Sequence, residues 1–385
     1  MSKTTVFFYI DALDSGVLSA KFTPFLFNLA NKGFYQKLEN IAGYSFAIQS
    51  CMLSGKYPDE NLHWMPYFYS PKNSPMLFKA LSKVGRITPL DRFSYARYGL
   101  LWTLRKLFIR KGVHANNIPL SVIGNLYLFP YYYMNELPFF YELKKLLDEK
   151  CQTALIYLGP PKVKGDVYSS LLRYVKGSTN KKTKVILVYE DALDRIGHAF
   201  GPSSSEYVNY VRKLDKLLAN TCSEILKIDT HATFLFFSDH AQSQLTNCVD
   251  IISTLGKFGL QMPNDYQCFI DATVGLFWPN NSTIQERMIS ILRLLKAGTL
   301  IDYRLREKYH LKFADTKMYG DLIYILKPGW AFFPNFFSPF GPMKGLHGYL
   351  PEDEVQKSFL ISNKKISLHT THVKDVKNLL LNLSS

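Results

Sequence analysis

Short apolar runs, each ended by an acid, a glycine or a proline, alternate along this chain with longer segments whose apolar positions recur every three or four residues. The run TVFFYI within residues 4–10 is β-branched and aromatic and reads as a buried strand that stops at Asp11. A helix follows from the Thr23-Pro24 start through FLFNLAN to Gly33. Further strands are predicted at 153–158 (TALIYL), 184–189 (KVILVY), 233–237 (TFLFF), 268–277 (around CFIDATVGLF) and 322–327 (LIYILK). Between Glu206 and Ile228, residues Val208, Val211, Leu214, Leu218, Cys222 and Ile225 form one stripe, the period of a helix covering a sheet, and Asn281–Lys296 repeats it. Such alternation predicts an α/β fold with a mostly parallel sheet, whose site should lie at the carboxyl ends of the strands.

Residues 59–150 break the rhythm and read as an inserted cap, leaving 1–58 and 151–385 as the α/β core. From Lys79 to Lys111 there are nine Lys or Arg and one acid, Asp91. Within it, YGLLWTLRKLFIRKG sets Leu100, Leu101, Leu104, Leu107 and Phe108 on one helical face, with Lys106 and Arg110 on the other. The aromatic stretch NLYLFPYYYMNELPFFYEL is interrupted by Asn, Pro and Glu and fails as a membrane span. Two readings of 97–141 stand: a lid over the substrate, or peripheral contact with a membrane surface.

Composition narrows the partners. A 385-residue chain that is 47% hydrophobic can bury a sizeable core, and a formal charge of +15 favours anionic partners such as phosphate esters, nucleic acid or an acidic membrane. Cys51, Cys151, Cys222, Cys248 and Cys268 are scattered, which suggests neither a disulfide framework nor a thiolate metal site. MSKTTVFFYIDALD has no signal-peptide pattern, so a cytoplasmic location is expected, with association at the inner membrane face as a variant. No nucleic-acid-binding motif is present.

Four apolar runs end in acids or histidines: Asp11 after VFFYI, Asp194 and His198 after VILVYE, Asp239 and His240 after TFLFFS, and His347 in KGLHGYLP. Any one of them alone reads as a cap or a hydrogen-bonded turn residue, and Gly197 with the Gly201-Pro202 stop predicts a turn for DRIGHAFGP. Together, carboxylates and imidazoles suit zinc, and also manganese or iron, and the six are enough to hold two ions. Ser45, in GYSFAIQSCMLSGKYP, sits where a loop enters a helical stretch and is either an N-cap or a nucleophile at a helix N-terminus. Ser50 and Ser54 read as packing or capping residues.

The ordered set IDALDSG, TPFLFNLANKGF, YSFAIQSCMLSGKYP, DRIGHAFGP, FSDHAQ and LHGYLP resembles the alkaline phosphatase superfamily, in particular its type I phosphodiesterase/nucleotide pyrophosphatase branch, over positions 11–351. The resemblance implies an alkaline-phosphatase-like sheet flanked by helices. It implies one divalent ion on Asp194, His198 and His347, and a second on Asp11, Asp239, His240 and the Ser45 oxygen. It further implies that Ser45 attacks phosphorus and that water then hydrolyses the phosphoseryl enzyme. Gln49 and Lys344 are candidate phosphate or substrate contacts. The chain departs from the pattern at Ile48, where the branch commonly has Asn, in the stretched YPDENLHW that displaces His63, and at Leu350.

The expected function is therefore hydrolysis of a phosphodiester or pyrophosphate, the organic part being a nucleotide, a nucleotide-sugar or a lipid-linked group. A phosphomonoesterase of the same superfamily is the alternative, and a catalytically silent membrane- or anion-binding protein is the reading from a different class. Sulfatase chemistry is disfavoured because SFAIQ lacks the Pro and Arg of C/S-x-P-x-R.

Overall fold

The first apolar run forms β1 (Thr4–Ile10), buried along its whole length, at the centre of a six-stranded sheet. The computed structural model describes residues 4–108, 117–130, 133–163, 166–177, 183–315, 317–337, 340–366 and 371–384. These residues form two units, one of 1–57, 133–244 and 351–385, the other of 58–132 and 245–350.

After β1, the first unit continues with α1 (Pro24–Lys32), β2 (Phe34–Leu38), α2 (Ser45–Ser54), α3 (Pro138–Lys150), β3 (Ala154–Leu158) and α4 (Val167–Gly177). It then runs through β4 (Lys184–Glu190), α5 (Ala192–Phe200), α6 (Ser205–Ile228), β5 (Thr233–Ser238), β6 (Ser358–Ser362) and α7 (Val376–Leu383). The strand order is β2-β6-β5-β1-β4-β3. β5, β1, β4 and β3 run parallel, while β6 is antiparallel to both its neighbours. Strands buried on both faces need no polar alternation, which is why TFLFFS and VILVYE read as continuous apolar runs.

One face of the sheet packs under α1, α4 and α6. Val6, Phe8 and Ile10 of β1, Ile186 and Val188 of β4, and Phe234 and Phe236 of β5 meet Leu171 of α4 and Val211, Leu214, Leu218, Cys222 and Ile225 of α6. The predicted stripe of α6 is thus its buried face, with Tyr207 leading it. Asp215 on the same helix accepts both Phe25 N–H and Leu26 N–H at 3.0 Å. It thereby holds the first turn of α1, whose donors have no partner within the helix. On the other side of the sheet, α2, α3 and α7 pack with one another.

The second unit is built on an antiparallel sheet of Tyr266–Ile270, Val274–Pro279, Leu322–Leu326 and Gly298–Leu300. The single strand expected over 268–277 is two strands, because Asp271 turns the chain. Its carboxylate accepts Ala272 N–H at 2.6 Å and the Tyr67 hydroxyl at 2.8 Å. The basic amphipathic segment forms a helix, Ser94–Phe108. Leu101 is buried and Trp102 and Lys106 are exposed, the ammonium lying 3.9 Å from the indole centroid. Arg97 is buried and bonds to Asn117 O and Oδ1 at 3.1 and 2.8 Å, so it serves packing and not the basic face. Arg110 lies outside the described residues. Among the described residues no helix is long and apolar enough to cross a membrane.

Candidate functional site

Parallel pairing of β1 with β5 sets Tyr9 opposite Phe237, so the residues two further on, Asp11 and Asp239, leave the sheet side by side. His240 follows Asp239. On the other side of β1, β4 ends at Glu190, opposite Ile10, and the chain turns into α5. DRIGHAFGP, expected as a turn, is the helical end of that segment. Asp194 and His198 stand one turn apart on α5, with His198 Nε2 3.1 Å from Asp194 Oδ1.

These elements converge. Asp11, Asp239 and His240, all buried, each offer a ligand atom within 4.8 Å of one another, and a carboxylate oxygen of Asp194 lies within the same distance of a His240 nitrogen. Ser45 is the first residue of α2, with Tyr44 in the N-cap position. Its hydroxyl lies 2.9 Å from His240 Nε2 and 3.5 Å from Asp11 Oδ1. Between the two readings of Ser45, the hydroxyl faces the acidic cluster and not the backbone of its own helix. Ser50 donates to Phe46 O and Ser54 to Lys56 O, which are the packing and capping roles expected of them.

The electrostatics point to a cation. Burial, then the neighbouring charges of Asp239 and Asp194, push the Asp11 carboxyl well above the usual carboxylate range. Among the described residues no lysine or arginine pairs with Asp11 or Asp239; His240 is their basic neighbour, 3.5 and 3.3 Å away. Its Nδ1 is 3.0 Å from Ala241 O, a carbonyl that can only accept, which leaves Nε2 as the ring nitrogen turned to the carboxylates. Two buried carboxylates and an imidazole nitrogen, with no lysine or arginine paired to them among the described residues, are a donor set that fits a divalent ion.

Several residues that hold this set are not of ligand type and were missed in the sequence. Tyr9 donates to Asp239 Oδ2 at 2.8 Å, and Tyr189 donates to Asp11 Oδ2 at 2.6 Å. Ala12 N–H also reaches Asp239, at 3.2 Å. Asn40 donates to Asp239 O at 2.6 Å, fixing the strand end from β2's side. Gln242 donates to Asp194 Oδ1 at 2.7 Å and to Asp194 O at 3.1 Å. The only signal available in advance was polar side chains inside apolar runs, as in FFYID and LVYED.

Of the remaining predicted residues, Gln49 is buried one turn after Ser45 and donates to the Tyr189 hydroxyl at 3.4 Å. His347 and Lys344 belong to the second unit. His347 is buried, with its carbonyl held by Thr273 Oγ1 at 3.0 Å, and Lys344 is exposed. His63, also in that unit, stacks on Phe129 and lies 2.6 Å through Nδ1 from Asn61 O.

Gly197 has a different reason to be glycine than flexibility. A Cβ there would lie 2.0 Å from Gln242 Oε1, so only a bare backbone admits the amide that orients Asp194. Gly→Ala in a helix ordinarily stabilises by about 1 kcal/mol. Gly197→Ala is expected to leave stability within about 1 kcal/mol of the parent, because only the end of a flexible glutamine has to swing aside, and to lower turnover as Gln242 releases Asp194. Turnover equal to the parent's in the alanine variant would show that the Gln242 contact does not orient Asp194.

The sequence matches the model of the type I phosphodiesterase / nucleotide pyrophosphatase family over residues 5–350. Human ectonucleotide pyrophosphatase / phosphodiesterase 5 superposes with a TM-score of 0.65 at 13% identity, covering 99% of this chain and 94% of its own. An inactive variant of the murine protein, in complex with AMP, gives 0.62 at 13% identity, with 100% and 95% covered. A second murine structure gives 0.63 at 13% identity, with 100% and 95% covered. A search of curated protein sequences found no match.

Proposed function

The chain belongs to the type I phosphodiesterase / nucleotide pyrophosphatase family and is a hydrolase, and from that premise we propose that it cleaves a phosphodiester or pyrophosphate bond through a phosphoseryl intermediate on Ser45. The observation that carries the reading is the Ser45 hydroxyl, set at the N-terminus of α2 and 2.9 Å from His240 in the cluster of Asp11, Asp239 and His240.

In this reading the Ser45 hydroxyl gives its proton to water as its oxygen attacks phosphorus, the O–P bond forms as the bond to the leaving oxygen breaks, and the departing group takes up a proton from water. Water then attacks the phosphoseryl phosphorus, restoring the hydroxyl and releasing a phosphomonoester. Asp11, Asp239 and His240 would hold one divalent ion, and Asp194 and His198, with His347 as the resemblance implies, a second; zinc suits this donor set. Bound there, the ions would offset the charge of the phosphoryl group and lower the pKa of the serine hydroxyl. The chain's own part is positional. Tyr9, Tyr189, Gln242 and Ala12 N–H fix the carboxylates by hydrogen bonds, so their oxygens need not reorganise during the reaction. The Ser45 oxygen is presented at a helix N-terminus, where a phosphate is favoured by the helix dipole.

A nucleotide is the substrate class we favour, since the murine neighbour is in complex with AMP. The test is a panel of aryl phosphodiesters, aryl phosphomonoesters and dinucleotide pyrophosphates, assayed with zinc, manganese or no added metal. Diesters or pyrophosphates are expected to turn over at least about tenfold faster than monoesters, a difference of about 1.4 kcal/mol in barrier. Preference for monoesters would replace this reading with a phosphomonoesterase, and no turnover of any ester with metal bound would leave a silent anion-binding protein.

A further inference from the structure

Glu190 is the last residue of β4 and is 9% exposed, yet nothing in the phosphoryl chemistry uses its side chain. Strand alternation puts it on the face of Ile186 and Val188, beneath α4 and α6, while Tyr189 turns to the opposite face and Asp11. A cavity of about 600 Å³ opens there, large enough for a small organic molecule. Tyr133, Tyr168 and Tyr210 contribute to its wall, and Glu190 lies among them.

The wall is unbalanced in charge and in hydrogen bonding. One Glu190 oxygen accepts Ala192 N–H at 2.9 Å and the Tyr210 hydroxyl at 3.2 Å. Among the described residues no cationic side chain pairs with this carboxylate, and its nearest charged influence is a second acid, Asp191. The two basic residues of the wall are engaged elsewhere. Arg195 pairs with Asp191 at 2.8 Å, and the exposed Lys213 lies 5.9 Å over the Tyr210 ring. The Tyr168 hydroxyl, 5% exposed as a residue, lies beside Glu190 without a hydrogen bond of good geometry to any group. A buried carboxylate facing tyrosine rings is stabilised by a ligand that brings positive charge, and the rings attract a cation as well. With the Tyr168 proton turned to Glu190, the remaining open sites are acceptors, namely carboxylate oxygen and the phenol oxygen lone pairs. They favour a group with several N–H donors over a quaternary ammonium, which has none.

We propose that this cavity binds a small organic molecule through a protonated primary amine seated against Glu190, with the Tyr168 hydroxyl accepting a second N–H. The inference does not rest on the phosphoester reading, because its measure is binding. Calorimetric titration of the full chain with 2-phenylethylammonium and with its neutral counterpart, 2-phenylethanol, tests it. The amine is expected to bind at least about tenfold more tightly than the alcohol, and Glu190→Gln to remove that advantage. Tyr168→Phe should weaken the amine by a few fold and leave the alcohol unaffected. Ser45→Ala should bind the amine as the parent does, which separates this site from the catalytic serine. Equal affinities for amine and alcohol, an unchanged amine affinity in a folded Glu190→Gln protein, or no binding of either compound at millimolar concentration would each overturn the proposal. The amine–alcohol comparison on the unchanged protein needs no variant and stands even if Glu190→Gln does not fold.

Discussion

Ser45→Ala is expected to lower kcat/KM for an aryl phosphodiester by on the order of a thousandfold or more, the scale seen when a covalent nucleophile is removed. The loss should fall on kcat, because the hydroxyl forms its bond to phosphorus in the transition state and contributes little to ground-state binding. Stability should hardly change. Tyr44, not Ser45, occupies the N-cap position of α2, and the Ser45 hydroxyl makes no cap hydrogen bond. Alanine is a good helix former at that place. Bound metal should be retained at close to the parent level, since Asp11, Asp239 and His240 supply their ligand atoms independently of Ser45. Ser45→Thr keeps the oxygen and should keep measurable turnover. Mass spectrometry of an acid-quenched reaction should find the phosphoryl group, still carrying its remaining ester substituent, on the peptide containing Ser45 in the parent and not in the alanine variant. An alanine protein that keeps its metal and still works within tenfold of the parent would remove Ser45 from the mechanism.

Much of this site was legible because its chemistry sits where strands end. VFFYID, FLFFSDH and VILVYED each announce a buried strand and then a residue that apolar packing does not explain. What was not legible depends on strand order. Nothing local to Tyr9 or Gln242 says that one will meet Asp239 and the other Asp194; those pairs are 230 and 48 residues apart and arise only when β1 pairs with β5 and α5 folds back. The conformation of DRIGHAFGP was misjudged for a local reason. Gly197 and the Gly201-Pro202 stop suggested a turn, whereas the segment is helical to Phe200 and Gly197 is there to clear Gln242. Likewise CFIDATVGLF carries an apolar pattern that continues through the break, and only the Asp271 bonds to Ala272 and Tyr67 reveal the turn. Glu190 passed unnoticed as one more acid after a strand. Its isolation comes from Tyr168 and Tyr210 on two different helices, which no window of sequence contains.

Asp11→Asn tests the other half of the site, the charge that a bound cation would answer. Without metal, Asp11 and Asp239 are two buried carboxylates facing each other, and burial together with that neighbour is what raises the Asp11 pKa. The folded metal-free protein therefore holds a charge it would be more stable without. A divalent ion bound only by the folded state should stabilise the parent over its chelated form by roughly 3–4 kcal/mol when metal is present at one hundred to one thousand times its Kd. A melt with and without chelator would show this as an upward shift of several degrees. The asparagine amide keeps the shape of the side chain and can still accept from Tyr189, but it removes one of the negative charges. Asp11→Asn is thus expected to melt at or above the parent when both are metal-free, to show a much smaller shift on adding metal, to bind less metal by elemental analysis, and to lose turnover by on the order of a hundredfold or more. These outcomes move in opposite directions, which separates the loss of an ion ligand from general damage to the fold. If chelation left both the melt and the turnover of the parent unchanged, and Asp11→Asn were simply less stable, the carboxylate pair would be a structural element without a metal and the two-ion reading would fall.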